Sequence, residues 1–107
     1  MSLTRRAFAA AIPSAGVAAR TLLSASVLER RLYSPQSVRP SLVLLARHGM
    51  HVVRVRHTPA GIEYLIAFDS LEARARGWDR FNTDPDWCQL LATGVVELRE
   101  IVIARAA

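Results

Sequence analysis

The chain has one cysteine and no lysine among its 107 residues. A lone cysteine excludes an intrachain disulfide, so an oxidising compartment is compatible with the sequence but not demanded by it. The missing lysine excludes little, because all 14 basic residues are arginine and bring the same charge to an acidic surface. No glycine-rich phosphate loop, nucleophile elbow, cysteine pair or HExxH helix is present, so no constellation in the sequence names a reaction. A long hydrophobic run is lacking too. The uncharged stretch from Ala7 to Ala19 is interrupted by Pro13 and Gly16 and falls short of the ~20 residues a membrane span requires. Cys88 itself lies beside Trp87 and near Leu90, which predicts a buried core position rather than a nucleophile.

A length of 107 residues with 51% hydrophobic and 21% charged content suits one hydrophobic core and leaves no room for two. The formal charge of +5 resembles a nucleic-acid footprint until its placement is considered, since Arg5, Arg6 and Arg20 all precede the first acidic residue, Glu29. The other arginines are interleaved with Asp and Glu, whereas a phosphate-binding groove gathers its basic residues on one face. Nucleic acid is therefore not an expected partner.

Residues 1–26 read as a targeting segment: Thr4-Arg5-Arg6-Ala7-Phe8, an apolar run of small residues, then small residues around Ala18-Ala19 and Ser24-Ala25-Ser26. Arg5 and Arg6 followed at two residues by Phe8 resemble the twin-arginine export signal of bacteria, with Ala9 in place of its usual Leu. The resemblance implies an exported, periplasmic protein. A mitochondrial presequence shares this composition and is the alternative in a eukaryote.

Residues 27–107 form the domain. Apolar and polar residues alternate over Val27–Tyr33, predicting a strand that Ser34-Pro35-Gln36-Ser37 ends. A short helix follows, with Ser37 or Ser41 as N-cap, Val38, Leu42 and Leu45 on one stripe, and Gly49 as its stop. Met50–His57 alternates again, with Val53, Val55 and His57 opposed to Val52, Arg54 and Arg56. Thr58-Pro59-Ala60-Gly61 then turns the chain into Ile62–Phe68, so these runs make a hairpin. The second of them is apolar on both faces and belongs in the middle of a sheet. Asp69-Ser70-Leu71-Glu72 carries a capping signal for a helix in which Leu71, Ala75, Trp78 and Phe81 recur at helical spacing. Asp84 and Pro85 start one more short helix, as N-cap and first residue. In the last strand, Val95–Ile103, apolar parity shifts between Leu98 and Ile101 and predicts a bulge near Arg99-Glu100.

The order is βαββαβ. It predicts an α+β fold of ferredoxin-like type, a four-stranded antiparallel sheet with its helices on one face. A bare second face in so small a domain calls for a partner, most economically a second copy about a two-fold axis.

Three stretches carry a family resemblance: Val27-Leu28-Glu29-Arg30-Arg31-Leu32-Tyr33, Tyr64 through Arg74 with its Phe68-Asp69-Ser70-Leu71 helix start, and Gly77-Trp78-Asp79-Arg80-Phe81-Asn82-Thr83-Asp84-Pro85-Asp86-Trp87. Together they resemble the NIPSNAP family over almost all of residues 27–107, with Arg30 where the family has Leu and Asp86 where it has Glu. The resemblance implies the dimeric α/β-barrel superfamily, in which two ferredoxin-like sheets pack face to face. It implies no activity, because fold alone does not fix one.

The pocket candidates are Glu29, Arg31, Tyr33 and His57. The first three share one face of a central strand, where charge needs a partner or a purpose. Arg31 suits a carboxylate or other anion and Tyr33 a hydrogen bond, while a cross-strand ion pair of Arg31 with Glu63 or Glu97 is the structural alternative. His57 is expected to face the core or the pocket. His48, His51 and His57 do not converge as a metal site, since Gly49 separates the first two and the last two stand about 20 Å apart along one strand. No cofactor is expected, haem as in other dimeric α/β-barrel proteins being the alternative. The function these features suggest is an exported, homodimeric binding module for a small molecule or protein. The alternative, by analogy with the same superfamily, is a small cofactor-independent monooxygenase- or isomerase-like enzyme using His57, Tyr33 or Arg31.

Overall fold

The computed structural model describes residues 25–105. Arg5, Arg6 and Phe8 of the expected export signal lie outside the described residues. Four strands, β1 (Val27–Tyr33), β2 (His51–Thr58), β3 (Gly61–Phe68) and β4 (Leu98–Arg105), form one sheet in the order β2-β3-β1-β4. Each neighbouring pair is antiparallel. Helix α1 (Leu42–Arg47) links β1 to β2, while α2 (Leu71–Asn82) and α3 (Pro85–Leu91) link β3 to β4. This is the ferredoxin-like arrangement, with β1 and β3 at the centre. Every residue of β3 is buried, as its two apolar faces require.

The helices lie over the face that carries Val27, Glu29 and Tyr33 of β1 and Ile62, Tyr64, Ile66 and Phe68 of β3. Leu44 and Leu45 of α1, Trp78 and Phe81 of α2 and Trp87 of α3 join those residues in one core. Phe81, Leu45 and Ile66 are at most 1% exposed, and burial of each such side chain stabilises the fold by ~1.5–3 kcal/mol. Trp78 meets Phe81 edge-on at 5.4 Å between centroids, and Phe81 meets Trp87 at 4.8 Å.

Capping sets the helix ends. The hydroxyls of Ser41 and Ser70 accept the amides of Leu44 and Ala73, and the Asp84 carboxylate accepts that of Asp86 ahead of Pro85. At the end of α1 the amides of Gly49 and Met50 donate back to the carbonyls of Ala46 and Leu45, a Schellman closure that needs the positive φ of Gly49. Helix α1 is shorter than its spacing predicts. Ser41, not Ser37, caps it, so Val38 stays outside and Leu42 is half exposed, while Leu44 and Leu45 face inward.

Two bulges adjust the sheet. The β1–β4 register moves from Leu32 opposite Glu100 to Tyr33 opposite Leu98, with Arg99 as the extra residue, where the parity shift predicts it. A second bulge lies at Val53, because Val52 pairs with Ile66 and Arg54 with Leu65. It breaks the expected alternation of β2 and puts Val52 and Val55 on the same, helix-side face. Among the described residues the opposite face carries no helix, but it is not bare. Leu28, Leu65, Ala67 and Ala104 form a second buried apolar cluster there, against which Ala25 and Val53 pack. Cys88 is exposed, not buried as its neighbours suggest, because α3 turns Trp87 inward and the next residue out.

Candidate functional site

Glu29 is fully buried at the centre of β1 and faces the helices. Its carboxylate accepts four hydrogen bonds: from Arg31 Nε at 2.5 Å, Arg74 Nε at 2.8 Å, Arg74 Nη2 at 3.2 Å and Trp78 Nε1 at 2.9 Å. Arg31 reaches it from two residues along the same strand. Arg74 and Trp78 reach it from one face of α2, four residues apart. The Arg31 guanidinium also stacks on the Trp78 ring, 3.7 Å from the centroid. Burial by itself would raise the Glu29 pKa, but the hydrogen bonds from Arg74 and the charge of Arg31 outweigh it and hold the carboxyl below its usual range.

Tyr33 continues this face. It is buried, meets Tyr64 edge-on at 5.4 Å, and has its pKa raised by burial against the opposing pull of Arg31. The Tyr64 hydroxyl donates to the Pro40 carbonyl at 2.7 Å and so ties the segment before α1 to the sheet. Glu29, Arg31 and Tyr33 therefore stand together between sheet and helices. His57 does not join them: it is exposed near the end of edge strand β2. The expected cross-strand pair is also replaced. Arg31 bonds to Glu29, whereas Glu63 on the face opposite α1, α2 and α3 accepts Arg30 and Arg54 at 3.0 Å each and Arg56 at 3.3 Å. Arg30 also pairs with Glu100.

Arg74 and Trp78 are the candidate site residues that sequence reasoning misses as partners of Glu29. The signal was present, since Arg74, Trp78 and Phe81 recur at helical spacing and a charge on an inward stripe calls for a buried partner. A second polar cluster joins the helix ends. His48 at the C-cap of α1 places Nε2 2.6 Å from Asp84 Oδ2, and Arg47 Nη1 reaches both Asp84 and Asp86 at 2.9 Å. The His48 contact, reinforced by the Asp86 amide and Arg47 against burial, lowers the Asp84 pKa to about 2. The Asp84-Pro85 pair thus starts α3 and clasps it to α1.

Among the described residues no three of His, Cys, Asp and Glu gather where they could hold a metal ion. No described helix is long and apolar enough to cross a membrane.

No family model and no curated protein matches this chain. Among solved structures, the chain is similar to the crystal structure of an uncharacterized NIPSNAP-like domain protein from Burkholderia xenovorans. The TM-score is 0.51 at 16% sequence identity, covering 78% of this chain and 85% of that one. At that identity the likeness is one of fold.

Proposed function

We propose that the chain is an exported NIPSNAP-family domain that acts as a homodimeric binding module, taking a small molecule or protein partner between its sheet and its helices. The observation that carries this reading is the state of Glu29. Two guanidiniums and an indole N–H occupy its carboxylate and hold its pKa low, so it is a weak base at neutral pH and a poor acid. The arginines that hold it are partly exposed, 15% for Arg31 and 23% for Arg74, which suits recognition of a partner from solvent. His57, the titratable side chain an enzyme of this superfamily would draw on, is exposed on β2 and not gathered into this cluster.

The other parts of the reading have their own support. The similarity to a NIPSNAP-like domain agrees with the motifs at Val27–Tyr33 and Gly77–Trp87. The dimer rests on the sheet face that α1, α2 and α3 leave uncovered, and export rests on Arg5, Arg6 and Phe8. Native mass spectrometry of the protein recovered from its own cells tests all three at once. A processed dimer with added mass is expected. An unprocessed, ligand-free monomer overturns the reading.

A further inference from the structure

Strand β4 presents part of its helix-side face to solvent. Residues opposite one another in an antiparallel pair point to the same face, their Cα atoms about 5 Å apart. Ile101, opposite Arg31, therefore points to the helix side. Yet Ile101 is 44% exposed, and its neighbour on that face, Ile103, opposite Glu29, is only partly buried. The helical layer thus leaves an apolar strip along β4, directly beside the Glu29 cluster.

The charge beside that strip is unbalanced. Two guanidiniums, Arg31 and Arg74, face one carboxylate, Glu29, and among the described residues it is the only carboxylate paired with either. Arg31 meets Glu29 through Nε and also hydrogen-bonds Tyr33, so this guanidinium, a group suited to fork onto an oxyanion, has one carboxylate shared with Arg74. A cation of this kind, stacked on Trp78 and next to an exposed isoleucine, fits a ligand with an anionic head and an apolar body.

Resting on the reading of this cleft as a binding site, we propose that its ligand is a small organic carboxylate, with the head on Arg31 and Arg74 and an aliphatic or aromatic body along Ile101. The anion neutralises the excess charge left by the arginine pair, and the body covers the apolar strip. Neither half suffices: the head sets orientation, and the body supplies the hydrophobic gain that separates this ligand from bulk inorganic anions.

The test uses the full chain and a series of plain probes: acetate, butyrate, hexanoate and phenylacetate, with hexanol and sulfate as controls. Binding is followed by calorimetry and by the fluorescence of Trp78, whose ring lies against Arg31. Hexanoate and phenylacetate should bind saturably, affinity rising roughly threefold per added methylene from butyrate to hexanoate. Hexanol and sulfate should each bind at least tenfold more weakly than hexanoate. Ile101→Ser removes the apolar surface without adding a charge opposite Arg31 and should weaken hexanoate at least threefold, while Arg31→Gln, checked for folding by circular dichroism, should remove the preference for hexanoate over hexanol. Equal binding of hexanol, indifference to Ile101→Ser, or no saturable binding of any carboxylate would overturn the proposal. If native mass spectrometry still shows a dimer carrying a bound molecule, that failure touches the ligand class alone. A ligand-free monomer would instead remove the binding module itself.

Discussion

Glu29 concentrates the physical cost of this fold in one residue. A carboxylate taken fully out of water is tolerated only because its oxygens are filled by charged and neutral donors, and loss of that charge strands two half-buried guanidiniums. Glu29→Gln should therefore lower stability by about 3 kcal/mol in urea denaturation, and an unchanged midpoint would mean that the cluster is held together by packing alone. Acid should act on the same groups. Glu29 and Asp84 both have folded pKa values below those of the unfolded chain, Asp84 falling from 3.8 to about 2. The unfolded state consequently binds more protons as pH falls, and the stability these groups contribute is full above about pH 5 and lost progressively toward pH 2. The urea midpoint should drop between pH 6 and pH 3 in the native protein and drop less in Asp84→Asn. At this scale the sequence exposed the need of Glu29 and Arg31 for partners but not the partners, because Arg74 and Trp78 are 45 and 49 residues away. Cys88 fails in the opposite direction: its apolar neighbours say nothing of which way a short helix turns it.

Elements were more legible, because capping and alternation are written in adjacent residues. Ser70, Asp84, Pro85 and Gly49 mark helix ends where local chemistry puts them, and the parity break before Ile101 marks a real bulge. Ser70→Ala should cost about 1 kcal/mol in thermal or urea unfolding, the usual loss for a removed N-cap. The bulge at Val53 was not legible, since Val52, Val53 and Val55 are alike in polarity and pattern alone cannot choose among them. Gly61 shows how an element depends on its neighbour. It has φ +143, and a Cβ there would stand 2.0 Å from the Tyr33 carbonyl oxygen. Gly61→Ala should destabilise by about 3 kcal/mol or more through strain and displacement of β1, with loss of tight near-UV dichroism if the hairpin separates. A stability equal to the native protein would show that the hairpin shifts freely against β1.

For the whole molecule, the two ends of the sequence carry different kinds of information. The proposed export signal is linear, Arg5, Arg6 and Phe8, so if it is used, replacing both arginines by lysine should leave full-length, unprocessed protein in the cytoplasm. Continued export of that variant would point to a different route. The sheet order β2-β3-β1-β4 and the helices on one face follow from the βαββαβ order and from strand polarity, both fixed by residues near one another in the chain. The sequence by itself thus determined the element order, the helix caps, the central place of β1 and β3 and the face shared by Glu29, Arg31 and Tyr33. Only the tertiary structure decided that Arg74 and Trp78 complete the cluster, that Glu63 belongs to Arg30, Arg54 and Arg56, that His57 stands apart, and that β4 keeps Ile101 open beside Arg31. The reason is physical: periodicity fixes the direction of a side chain within its own element, whereas its partners depend on strand register and on how far each helix extends over the sheet.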